Sequence, residues 1–150
     1  MDIENLGEIN SGLKSRKVKD IMSRFAITTE SQTPVTDLAH LLMRFKISGV
    51  PVVNHNKEII GIVTATDLFN IMKKVIGKIE NLKEEQKWEH LFVKDIMIEN
   101  VYSVAENDSI YDVIKLMCEK NIHTLPVVSG KEIVGIIGRR DVLNAFYGKG

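Results

Sequence analysis

The pentapeptide VKDIM occurs twice in the chain, at Val18–Met22 and at Val93–Met97. An internal repeat sets the architecture before any single element is assigned, so it is the strongest constraint on what this chain can become. Shifting the sequence by 75 positions also aligns Ile47 with Ile122 and Pro51-Val52-Val53 with Pro126-Val127-Val128. Further on, KEIIGIVTATDLFN (Lys57–Asn70) matches KEIVGIIGRRDVLN (Lys131–Asn144) at an offset of 74. One residue has been lost just after the PVV run, in a polar stretch that reads as a turn, where a deletion disturbs no ladder. The two copies, near 18–72 and 93–146, cover most of the 150 residues. The chain is therefore read as a tail (1–17), a first repeat (18–76), a linker (77–92) and a second repeat (93–147).

Both copies carry one pattern. A short apolar stretch comes first, Ala26–Thr29 or Val101–Val104. In the first copy, Thr33 as N-cap and Pro34 in the first turn then open a helix. Leu38, Leu41, Leu42 and Phe45 line one face of it. In the second copy Asp108 or Ser109 supplies the cap, and Val113, Leu116, Met117 and Lys120 take the corresponding places. GVPVV follows as a buried strand. NHNK, or SGK, makes a turn, and EIIGIVT returns as the partner strand of a hairpin. ATDLFNIMKKVI begins a second helix, with Thr66 and Asp67 in its opening turn. The expected fold is α/β (α+β): two β-α-β-β-α repeats packed sheet to sheet with pseudo-twofold symmetry, since neither small sheet can cover itself alone. VKDIM leads into each half, with Val, Ile and Met as anchors and Lys and Asp facing water.

The outlying pieces carry less. Residues 1–17 are polar and read as a flexible tail or a strap. The linker is charged and helix-friendly and extends the preceding helix before the chain turns back. Its Trp88, Leu91 and Phe92 either cap the core of the pair or contribute to a subunit interface.

Composition enters mainly by exclusion. Twenty Lys and Arg balance twenty Asp and Glu, so no net field recruits nucleic acid or an anionic membrane. Cys118 is the only cysteine, which rules out an intramolecular disulfide and suits a reducing compartment. It falls on an amphipathic helix and reads as a buried apolar residue. No stretch is long and apolar enough for a membrane span, and the start is polar and acidic rather than signal-like. A cytoplasmic location is the expectation. His40, His55 and His90 have no ligand-like spacing, which argues against zinc. There is no Ser-His-Asp set, no P-loop lysine and no paired acids in one motif, so the reading is not an enzyme.

The chemistry concentrates in GIVTATD, Gly61–Asp67, where a strand ends and a helix begins. Helix amino ends expose unpaired N–H groups and partial positive charge, and phosphates bind there. Thr64 and Thr66 can donate hydroxyls, and Asp67 can accept from vicinal ribose hydroxyls. Capping alone also explains these residue types. The counterpart GIIGRRD (Gly135–Asp141) keeps the Asp but replaces the threonines with Gly138 and Arg140. Two arginines at a helix start oppose the dipole unless an anion sits nearby, and either Arg139 or Arg140 can grip a phosphate. A solvated basic turn is the plainer account.

The order and duplication of DIM, the short strand, ISGVPVV or IHTLPVV, and GIVTATDL or GIIGRRDV resemble the cystathionine-β-synthase (CBS) domain pair, or Bateman module. The resemblance covers both repeats and neither the tail nor the linker. It implies a regulatory module that binds adenosine-containing ligands (AMP, ADP, ATP, S-adenosylmethionine or cyclic di-AMP) in clefts between the repeats and signals to a regulated protein. It further implies a homodimer and no catalytic cofactor. Carried over by position, one cleft would contain Ile62, Thr64, Thr66 and Asp67, with Tyr102 and His123 opposite. The other would contain Ile136, Arg140 and Asp141, with Ile27 and Ser48 opposite. His123 can stack on a base, donate to phosphate and change charge near neutral pH, or merely fill the wall. The alternative function is a ligand-free dimerisation or interaction scaffold.

Overall fold

The computed structural model describes residues 6–81 and 90–148. The order of elements is α1 (Leu6–Ser15), a 3-10 turn at Val18–Asp20, α2 (Val35–Phe45), β1 (Gly49–Val53), β2 (Ile59–Thr64), α3 (Ala65–Asn81), α4 (Val93–Ile96), β3 (Val104–Ala105), α5 (Ile110–Lys120), β4 (Thr124–Ser129), β5 (Glu132–Gly138) and α6 (Arg139–Tyr147). Two small sheets with helices make the fold mixed α+β. The chain divides into two compact units. One runs up to Ala26 and resumes at Tyr102; the other is Ile27–Val101.

In the 27–101 unit β1 and β2 form an antiparallel hairpin, with Val50 opposite Val63 and Pro51 opposite Ile62. All five residues of β1 are buried, as its β-branched run required. The first apolar stretch joins this hairpin at one point only: Thr29 N–H donates to the Pro51 carbonyl, and Val53 N–H donates to that of Thr29. In the other unit the same stretch is a true strand. There β3 runs parallel to β4, which pairs antiparallel with β5. Both hairpins shift register at the same place, between Val52 and Val53 and between Val127 and Val128. The missing residue does lie in the turn. Asn54 Oδ1 organises the longer turn by accepting from the N–H groups of Asn56 and Glu58, whereas the shorter one turns on Gly130 at φ 63°.

The helices show where capping logic succeeded and where it slipped. α5 is capped by Ser109, whose hydroxyl accepts from Asp112 N–H at 3.1 Å. α2 begins one residue later than expected. Pro34 is the N-cap and, having no polar side-chain atom, makes no side-chain cap bond, while the Thr33 hydroxyl accepts from that of Thr29 at 3.0 Å. Both helices end on a left-handed residue, Lys46 and Asn121. Leu38 and Leu42 are buried and Leu41 partly so, but Phe45 is 48% exposed. Cys118 is exposed rather than buried. The inner face of α5 is Ile110, Val113 and Met117, and a residue one step past Met117 points about 100° away.

Within the tail, Leu6–Ser15 is helical. Leu13 of α1 packs against the core of its unit, the Lys14 ammonium lies 4.9 Å from the Tyr111 ring centroid, and Arg16 donates to the Ala145 carbonyl at 2.6 Å. It is the strap, not the flexible tail. α3 extends into the linker as far as Asn81. Trp88 lies outside the described residues. The Leu91 carbonyl accepts from Val35 N–H, and Phe92 is half-exposed.

VKDIM brings the main correction. Its anchors behave as expected: Val18 and Val93 are fully buried, and the lysines and acids are exposed. Yet each copy packs on the strands of the other repeat. Val18 and Met22 join Val104, Ile110, Val113, Leu125, Val127 and Ile137. Val93, with Met97 packed beside it, joins Leu38, Leu42, Val50, Val52 and Val63. Val18 N–H donates to the Asp108 carbonyl, as Val93 N–H does to that of Thr33. Each unit therefore draws on both sequence repeats.

Candidate functional site

β2 passes into α3 with no intervening loop, and Thr64 is the hinge of that turn. Thr64 N–H donates to Asp67 Oδ2 at 2.7 Å, its hydroxyl donates to the same oxygen at 3.0 Å, and Asp67 N–H approaches Thr64 Oγ1 at 3.4 Å. This is a reciprocal capping box, and it consumes the Thr64 hydroxyl and one carboxylate oxygen. Among the described residues, no hydrogen bond engages Asp67 Oδ1 or the exposed Thr66 hydroxyl. Ser48 lies beside the turn, its carbonyl accepting from Ala65 N–H at 2.9 Å. Ile62 is buried and exchanges two backbone hydrogen bonds with Ile98. Ile27 is half-buried, two residues before the bridge at Thr29.

The other unit repeats the frame with different chemistry. Gly138 N–H donates to Asp141 Oδ2 at 2.7 Å, so the aspartate caps without help from a hydroxyl. Arg139 N–H donates to the His123 carbonyl at 2.9 Å, the counterpart of the Ala65–Ser48 bond. Arg139 Nη2 also lies 2.6 Å from His123 Nε2. Arg139 and Arg140 are both exposed in the first turn of α6. Ile136 exchanges two backbone hydrogen bonds with Ser23 at 2.9 Å. The Tyr102 ring is 43% exposed, with the Lys120 ammonium 5.6 Å from its centroid.

The structure thus gathers Ser48 with Thr64, Thr66 and Asp67, and His123 with Gly138, Arg139, Arg140 and Asp141. The resemblance had set Ser48 and His123 each against the turn of the other repeat; within its own unit each stands beside the turn of its own repeat. The sequence reading missed Ser23 and Ile98, the residues that follow the two VKDIM copies and bond to Ile136 and Ile62. Their signal was the constant spacing from each methionine. It also passed over Gly61 and Gly135. A Cβ on Gly61 would lie 2.6 Å from Met97 Sδ, and one on Gly135 would lie 2.8 Å from both Met22 Sδ and the Ser23 carbonyl. The repeated glycine is where each VKDIM methionine crosses a strand. No group of three His, Cys, Asp or Glu among the described residues can hold a metal ion, and no helix among them is long and apolar enough to cross a membrane.

Two repeats of this construction, each with a capped strand-to-helix turn, define a CBS pair. The CBS domain family matches at residues 18–74 and 93–148, and the chain belongs to it. Homoserine O-acetyltransferase of Methanosphaera stadtmanae is 32% identical over 92% of this chain, which spans 26% of that enzyme's length. L-aspartate semialdehyde sulfurtransferase of Methanocaldococcus jannaschii is 28% identical over 98% of the chain and 27% of the relative. Among solved structures, the CBS domain pair of protein MJ0100, in complex with 5′-methylthioadenosine and S-adenosyl-L-methionine, is similar at a TM-score of 0.76. It is 26% identical, covering 90% of this chain and 98% of that one. CBSX2 in complex with AMP is similar at a TM-score of 0.73 and 25% identity, over 87% of this chain and 96% of that one.

Proposed function

We propose that the chain is a regulatory module that binds an adenosine-containing ligand and passes its bound state to a partner protein, as a homodimer and without catalysing a reaction. The observation that carries this reading is the Thr64–Asp67 turn. Its capping box leaves Asp67 Oδ1 and the Thr66 hydroxyl uncommitted at a helix amino end, a disposition suited to ribose hydroxyls and a phosphate. Relatives of the same fold hold AMP, 5′-methylthioadenosine and S-adenosylmethionine, which supports this ligand class. Ile62, Thr64, Thr66 and Asp67 form the preferred set. Ile136, Arg140 and Asp141 form a second, better suited to phosphate-rich ligands, and Ile27, Ser48, Tyr102 and His123 supply base and phosphate contacts.

One observation favours the scaffold reading instead. Asp67 and Asp141 make the same 2.7 Å cap bond, so helix capping alone accounts for the aspartate in both repeats. Calorimetric titration with ATP, ADP, AMP, S-adenosylmethionine and cyclic di-AMP separates the two. Asp67→Asn and Asp141→Asn, which keep an acceptor for the cap, run in parallel. Saturable binding lost in one variant supports the module and identifies the working turn. A folded protein that binds none of the five is a scaffold.

A further inference from the structure

His123 and Arg139 mark the sharpest departure of the second repeat from the first, where Ser48 and Ala65 stand. The backbone frame is unchanged, with the same 2.9 Å bond from residue 65 to 48 and from 139 to 123. On that frame Arg139 Nη2 lies 2.6 Å from His123 Nε2. A guanidinium nitrogen can only donate and keeps its proton. A hydrogen bond at this contact therefore requires Nε2 to accept, from a neutral imidazole that carries its proton on Nδ1. A protonated imidazole donates from both nitrogens and would set donor against donor and cation against cation. The contact exists in one protonation state only.

The charged groups on the flanking elements do not replace it. Asp141 turns Oδ2 to Gly138 N–H, Arg140 adds positive charge in the same turn, and the Lys120 ammonium lies over the Tyr102 ring. Among the described residues, no carboxylate pairs with His123 or Arg139.

We propose that His123 and Arg139 form a proton-operated latch on the second turn. With His123 neutral, Arg139 is tethered to it. With His123 charged, the tether opens and His123 adds a third cationic group to Arg139 and Arg140 at the amino end of α6. The latch rests on the proposed reading that this turn receives the phosphate of an adenosine-containing ligand. A phosphate favours the open, protonated state, so its binding takes up a proton and its affinity rises with acidity. A unit charge gained about 4 Å from an anion in water changes affinity about fivefold. A ligand without phosphate is indifferent to the latch.

Two measurements test this, and they fail independently. In the ligand-free protein at about pH 8, ¹⁵N imidazole NMR shows an unprotonated Nε2 on His123, and Arg139→Ala restores the Nε2–H form that free imidazole prefers. An Nε2–H imidazole in the wild type overturns the latch, whatever nucleotides do. Calorimetry with AMP and with adenosine at about pH 8 and about pH 6 then compares wild type with His123→Asn, which keeps an acceptor for Arg139 but cannot charge. The titration of AMP itself is common to both proteins and cancels in the comparison. AMP affinity rises more in the wild type than in the variant, by up to about fivefold, and adenosine affinity does not. Equal pH dependence in the two proteins overturns the latch and leaves the binding reading intact. No binding of either ligand at either pH overturns the binding reading and with it the regulatory role of the latch.

Discussion

Replacing Gly135 by alanine tests the crossing of VKDIM on the strand. The added methyl would sit 2.8 Å from Met22 Sδ and 2.8 Å from the Ser23 carbonyl oxygen, well inside the roughly 3.5–4 Å at which such atoms attract. The sulfur can swing away, since methionine is flexible. The carbonyl cannot, because Ser23 is tied to Ile136 by two 2.9 Å backbone bonds. Overpacking of this kind costs about 1–3 kcal/mol, and the pinned backbone puts Gly135→Ala near the top of that range. Gly61→Ala meets mainly Met97, with Sδ at 2.6 Å and Cγ at 3.0 Å, while the nearest backbone oxygen, of Ile98, is 3.2 Å away. Its cost falls near the bottom, about 1 kcal/mol. At roughly 2–4 °C per kcal/mol for a chain of this size, Gly135→Ala lowers Tm by about 6–12 °C and Gly61→Ala by about 2–4 °C. Urea titration gives the same order, and Met97→Ala relieves Gly61→Ala more fully than Met22→Ala relieves Gly135→Ala in double-mutant cycles. A Gly135→Ala protein within about 0.5 kcal/mol of wild type, or more stable than Gly61→Ala, refutes the reasoning.

Val18→Ala removes two methyl groups from a fully buried site and costs on the order of 2 kcal/mol. Hydrogen exchange then shows protection lost from amides of 104–147 and kept within 29–64; loss confined to 29–64 would contradict the packing of VKDIM on the second repeat. Ser109→Ala leaves Asp112 N–H without its cap and costs about 1 kcal/mol, whereas Thr33→Ala, one residue before the Pro34 N-cap of the first repeat, costs less, because Thr33 caps nothing. Equal losses in urea titration would argue against the assigned caps. Arg16→Ala frees the α6 end, where the Ala145 carbonyl loses its donor at 2.6 Å, and raises exchange in 143–147. Unchanged protection there would show that the strap bears no load.

Legibility in the sequence followed the range of the interaction. Ser109, the turn at SGK and the buried GVPVV run were readable because propensity and capping act within a few residues. Thr33 was misread as a cap because α2 starts one residue later, with Pro34 at the N-cap, and the Thr33 hydroxyl instead accepts from Thr29. Cys118 was misplaced because an amphipathic face is drawn from several positions, and one step round the helix changes burial. At the candidate site the Thr-x-Thr-Asp pattern identified the turn, but not that capping takes the Thr64 hydroxyl and one Asp67 oxygen. The Arg139–His123 contact was hidden because the two residues lie sixteen positions apart and meet only through hairpin register.

The sequence by itself determined the duplication, the helix-hairpin-helix order shared by both copies and the strand-to-helix turns that close them, because these rest on periodicity and local hydrogen bonding. Only the tertiary structure decided where the duplicated pieces go. VKDIM reads alike in both copies, and nothing local tells Val18 which repeat to pack against. That choice is made by cavities that exist only once the strands are assembled: Val18 enters the one lined by Ile110, Leu125 and Ile137, and Val93 the one lined by Leu38, Val50 and Val63. Burial of apolar surface depends on which chain segments meet, and that information is spread over the whole sequence rather than written in any five letters of it.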